Sequence, residues 1–211
     1  DPARARPKQR LGRLALSGTA RGSLATVEWQ ARLALAEARA GLDGALTGLD
    51  AEPGYRLRFD LEAPDSGPFF ALAAIAPPLP PAEIGAIQAK GSIEGDASRM
   101  AVDAKASLAG AEAAIKGTVG LSAGAPVALE AGLEAADATR ILILAGMRPP
   151  KGIGALSARL QAKGNAAEAR IEASANLVGG QVALTGVVRR LDSASDYDLA
   201  VRATHPDLYR L

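Results

Sequence analysis

The chain contains no cysteine and a single histidine, His205. A disulfide framework, a thiolate metal site and a cysteine nucleophile are therefore excluded, and the lone imidazole has no second soft ligand to join it at a metal or in a triad. Aromatic residues make up only 3% of the sequence, with one Trp. A core has to be built from Ala, Leu, Val and Ile, and the aromatic platforms that stack nucleic-acid bases are lacking. Charge of one sign is lacking too: 24 Lys and Arg stand against 23 Asp and Glu, a net charge of +1, so no bulk field attracts nucleic acid. No apolar run reaches the roughly 18 residues of a membrane-spanning helix. The glycines never sit between a strand and a long helix, as a P-loop or dinucleotide fingerprint requires. Together these absences predict a chain that is not an enzyme, with no metal, no cofactor and no nucleic-acid partner.

What is present is a repeat. Gly12, Gly85 and Gly154 open three copies of a unit of about 70 residues, and Gly44, Gly117 and Gly186 each follow 32 positions later. Tyr55, Val127 and Tyr197 begin matching runs, followed by "EAPDSGPFF", "EAADATRIL" and "RATHPDLYR". The boundaries are a linker over 1–11, repeat 1 over 12–84, repeat 2 over 85–153 and a truncated repeat 3 over 154–211, all one continuous array. The basic opening "DPARARPKQR" reads as a solvated linker from a longer chain. Function in such arrays tends to lie on the long surface the units make together.

Alternation identifies the secondary structure. In "TVEWQARLAL" Val27, Trp29, Ala31, Leu33 and Leu35 are apolar while Glu28, Gln30 and Arg32 take the opposite face. Tyr55, Leu57, Phe59 and Leu61 alternate with Arg56, Arg58, Asp60 and Glu62, and Met100, Val102, Ala104, Ala106 and Leu108 behave likewise. "RLALAEARAGLDGAL" and "NAAEARIEASANL" are rich in alanine, the best helix former, yet a helix would scatter Ile171, Ala173, Ala175 and Leu177 around its axis. Four strands per unit, twelve in all, are predicted in an antiparallel meander, with glycines punctuating strands and turns and "VGGQ" as a tight hairpin. One short helix per unit follows the fourth strand. Asp65 or Ser66 caps the first, which is two to three turns long and stopped by Pro77 and Pro78; Asp137 caps the second, which Gly146 and Pro149 stop. Asp207 aligns with these aspartates, so "THPD" reads as a turn and helix start.

The fold class is thus mainly β: an elongated, twisted antiparallel sheet of repeated four-strand units forming a groove, with one short helix per repeat. Twelve strands at about 4.8 Å spacing make roughly 60 Å of sheet with one apolar face. That face needs a cover. The helices either plug it, completing a core, or lie along a groove that acyl chains fill. The larger side chains on the face are the candidate groove residues: Val27, Trp29, Leu33, Tyr55, Leu57, Phe59, Met100, Val102, Leu129 and Ile171. Alanines at 104, 106, 113, 131, 158, 173 and 175 would leave depth between them.

The openings "GAIQAKGSIEGD", the third strand "LAGAEAAIKGTVGL" and the linking segments "APDSGPFFALAAI" and "THPDLYRL" resemble the AsmA-like proteins of Gram-negative bacteria, over essentially the whole chain. The resemblance implies relation to TamB and the bridge-like lipid transfer proteins, a periplasmic β-groove on an inner-membrane anchor lying outside this chain, and phospholipid transport serving outer-membrane biogenesis. The implied partners are phospholipid acyl chains, the membrane through regions elsewhere in the full-length protein, and other envelope proteins. The alternative is a sealed structural spacer or protein-interaction repeat with no ligand.

Overall fold

A computed structural model describes residues 13–23, 25–72, 75–122, 124–150, 152–165, 167–189 and 196–206. Twelve strands form one sheet in sequence order: β1 (Leu14–Gly22), β2 (Thr26–Leu35), β3 (Ala38–Thr47), β4 (Gly54–Ala63), β5 (Ile87–Asp96), β6 (Arg99–Leu108), β7 (Ala111–Gly120), β8 (Pro126–Ala135), β9 (Leu156–Asn165), β10 (Glu168–Leu177), β11 (Gly180–Arg189) and β12 (Asp196–Thr204). Every neighbour pair is antiparallel. The period-two pattern therefore prevails over the helix propensity of alanine, including in β3 and β10, because only a strand gathers the apolar residues of those segments on one face.

Cross-strand charge pairs on the polar face fit this register. Arg56 stands opposite Glu94, Asp103 opposite Lys116 and Glu168 opposite Arg189, with closest N–O distances of 3.5, 3.2 and 3.1 Å. All are solvent-exposed, so each contributes at most about 1 kcal/mol. A one-residue slip would turn the whole apolar set into water, which makes burial the stronger determinant of register.

The glycines do not act only as punctuation. Gly48, Gly110 and Gly179 take positive φ in turns, but Gly41, Gly44, Gly91, Gly117 and Gly186 lie inside strands. A Cβ at Gly117 or Gly186 would run into the backbone of the next strand at Ala128 or Asp198. At Gly44 it would strike the indole of Trp29, which lies across this position from the neighbouring strand.

Three two-residue hairpins recur at one rim, and the first turn residue is left-handed each time: Ala36 (φ 54°), Ala109 (φ 55°) and Val178 (φ 56°). For an L-residue this conformation costs roughly 1–2 kcal/mol, and a β-branched residue is least suited to it. Val178→Asn creates the Asn-Gly pair that such turns favour. It is expected to stabilise the protein by about 1 kcal/mol, read as a higher midpoint in urea; an unchanged midpoint would contradict the strain.

The helices are short. They are α1 (Gly67–Leu72), α2 (Pro81–Ile84) and α3 (Thr139–Leu144). Asp65 accepts the Gly67 N–H at 2.8 Å and Asp137 the Thr139 N–H at 2.9 Å, each forming a turn just ahead of its helix; the N-cap of α3 is Ala138, not Asp137, and carries no side-chain cap. Ser66 instead turns inward, fully buried, and its hydroxyl donates to the Pro81 carbonyl at 3.2 Å. Gly146, at φ 82°, ends the α3 segment, its N–H donating to Ile143 O. The short helix α2 had no counterpart in the sequence reading, because four residues carry too little periodicity to register. The helix start at Asp207 and the linker over 1–11 fall outside the described residues.

The helices meet along the rim where the even-numbered strands end. Leu79, Ile84 and Ala109 form a buried cluster there, with Phe70, Leu108, Ile141, Ile143 and Leu144 packed around it. The helical segments that close repeat 1 and repeat 2 thus meet over the β6–β7 hairpin.

Candidate functional site: a continuous apolar face

Register places every other residue of all twelve strands on one face. Following the pairs from β1 to β12, each position there is Gly, Ala, Val, Leu, Ile, Met, Phe, Tyr or Trp, without one charged or amide side chain. The opposite face carries the Arg, Lys, Asp, Glu and Gln of the strands.

All ten predicted groove residues lie on this apolar face, and five of them fall in one row. That row crosses the strands as Ala20, Trp29, Gly44, Leu57, Ile93, Val102, Gly117, Leu129, Ala162, Ile171, Gly186 and Leu199. The repeating order is a large second-strand residue, a third-strand glycine and a fourth-strand leucine. Val27, Tyr55 and Met100 belong to the adjacent row; Phe59 and Leu33 belong to rows nearer the helical rim. Ile93 and Leu199 were not among the predicted residues, although Leu199 stands in the same repeat position as Leu57 and Leu129.

Burial distinguishes the rims from the middle. Leu35, Ala38, Ala63, Ala111 and Ala135 are buried at the helical rim, and Val127 and Ala169 at the other. Between them Trp29, Leu33, Tyr55, Leu57, Phe59, Met100, Val102, Leu129 and Ile171 are only half-buried. Val127, one row-mate of Tyr55, shows that the far rim closes locally at 7% exposure. The described helices pack at one rim, away from these central residues.

In plan the face measures about 33 Å along ten-residue strands and about 55 Å across them, roughly 1,800 Å². Even half of that exceeds the few hundred Å² of contiguous apolar surface that a soluble monomer usually exposes. Within it, β8 to β11 form an apolar concavity of about 310 Å³ whose lining includes Ala131, Leu133, Ala158, Leu160, Ala173, Ala175, Val182 and Leu184. The alanines supply its depth and the leucines and valine its walls.

A twisted sheet is saddle-shaped, so its polar face is also concave along one diagonal. One hollow there, of about 730 Å³, is lined by Asp60, Glu62, Lys90, Lys105, Glu112 and Glu134 among others. Charges of both signs alternate around it without converging on a point. Among the described residues two carboxylates are held below the usual range, and both belong to turns. The Ser98 hydroxyl and N–H donate to Asp96, and the Thr139 hydroxyl and N–H donate to Asp137. Among the described residues no three His, Asp or Glu side chains gather as a metal site, and no helix is long and apolar enough to cross a membrane. His205 Nε2 lies 3.0 Å from the Val178 carbonyl, beside the last hairpin.

Comparison of the chain with family models, with curated proteins and with solved structures finds no match.

Proposed function

We propose that this chain binds phospholipid by its acyl chains along the apolar face and conducts it as a segment of an AsmA-like envelope protein between the inner and outer membranes. In this reading it works in the periplasm, anchored in the inner membrane through regions outside the chain. One observation carries it: an apolar surface spanning all twelve strands is left half-exposed along its centre. One leaflet's hydrocarbon layer is about 15 Å deep, so acyl chains fit within the strand length with the headgroup left in water. A face without charge or amide groups offers no tight headgroup site, and lipid can move along it without being trapped.

Native mass spectrometry with lipid extraction tests this on protein expressed in a bacterial envelope and purified without detergent. Near-stoichiometric phospholipid is expected. A lipid-free, monodisperse protein would overturn the reading and favour a structural spacer whose apolar face is covered by another protein.

A further inference from the structure

The β10–β11 hairpin is closed by a different pair of residues from the two hairpins equivalent to it. In repeat 2 Ala111, which opens the third strand, stands opposite Ala135 at the end of the fourth; in repeat 1 Ala38 meets Ala63 in the same way, one step on from the Arg39–Glu62 pair. All four alanines are buried. In repeat 3 the register, one step on from Gln181–Thr204, brings Gly180 to His205. The two replacements match each other. A Cβ on Gly180 would come 2.7 Å from His205 Cδ2, so the glycine clears the space that the imidazole occupies. The backbone itself does not demand glycine, since Gly180 has no positive φ and its equivalents are alanines.

The imidazole reaches back to the turn. Nε2 lies 3.0 Å from the Val178 carbonyl, and because a carbonyl only accepts, Nε2 carries the proton and donates it. Val178, at φ 56°, is the β-branched member of the three left-handed turn residues, so its hairpin has the most to gain by relaxing. We infer that the Gly180–His205 pair is a latch on the β10–β11 hairpin: the Nε2–H bond to Val178 holds the strained turn shut, and its release lets the hairpin end of the two strands open. The latch bears on the apolar face. Val182, two residues beyond Gly180 on that face, lines the concavity of about 310 Å³ together with Ala175, its partner on β10. Opening the hairpin moves that wall, so His205 sets the shape of the concavity offered to an acyl chain. This consequence rests on the acyl-binding reading; the latch itself does not.

Hydrogen exchange, measured at one pH and without lipid, tests the latch. His205→Ala is expected to speed exchange at the hairpin end of β10 and β11 by about fivefold, the effect of losing one hydrogen bond, and to leave the opposite end near Glu168 and Arg189 unchanged. His205→Gln keeps an N–H donor and is expected to stay close to the native rate. Gly180→Ala alone displaces the imidazole and is expected to resemble His205→Ala. Combining Gly180→Ala with His205→Ala rebuilds the alanine pair of the other two hairpins, and exchange is expected to be slower than in either single variant. Unchanged exchange in His205→Ala, or a double variant no slower than the single ones, would overturn the latch. Native mass spectrometry of the same proteins keeps the two readings apart: a native chain without lipid refutes acyl binding and leaves the exchange result standing, whereas a lipid-bound chain whose exchange ignores His205→Ala refutes the latch alone.

Discussion

Val102→Asp and Leu129→Asp are each expected to lower co-purifying phospholipid at least tenfold while the far-UV circular dichroism of the sheet is retained. Both residues lie in the central row of the apolar face and are half-buried, so a carboxylate there reaches water in the lipid-free protein at modest cost. An acyl chain laid over the same carboxylate would strip its hydration, which costs several kcal/mol for an unpaired charge. A penalty of only about 1.4 kcal/mol already accounts for a tenfold loss. The neighbouring polar-face residues supply the control: Asp103→Ala and Glu130→Ala should leave lipid content unchanged. If both apolar-face variants unfold, the face is a sealed core and the groove reading fails.

Ile84→Ala is expected to be the most damaging single truncation considered, destabilising by about 3 kcal/mol in urea denaturation. Ile84 is 2% exposed and, with Leu79 and Ala109, forms the cluster that ties the helical segments of two repeats to the β6–β7 hairpin. Removing its side chain leaves a cavity where helical segments pack over the sheet rim. Against a typical domain stability of about 5–15 kcal/mol this is a large fraction. Leu16→Ala, at a residue 74% exposed on an edge strand, should change stability by less than about 0.5 kcal/mol. Comparable losses for the two variants would show that the rim is not the core.

The strands were legible because alternation is a local signal that survives even in alanine-rich segments. Trp29, Leu57, Val102, Leu129 and Ile171 could be placed on one face from spacing alone. Their alignment in a single row could not, since it depends on the cross-strand register that carries Trp29 to Gly44 and Gly44 to Leu57. The repeat glycines at 44, 117 and 186 were visible, but their reason was not: each meets a neighbouring strand or the Trp29 ring, a contact between residues distant along the chain. Helix starts just after Asp65 and Asp137 could be read because the turns these aspartates form are local chemistry. The turn of α2 could not, since four residues carry too little periodicity.

Site-specific photocrosslinking tests the central claim most directly. A benzophenone side chain placed at Val102 and, separately, at Asp103 samples adjacent residues on opposite faces of β6. In cells, position 102 is expected to capture phospholipid and position 103 is not. Equal capture from both positions, or none from 102 in a folded protein, would contradict an open acyl-binding face.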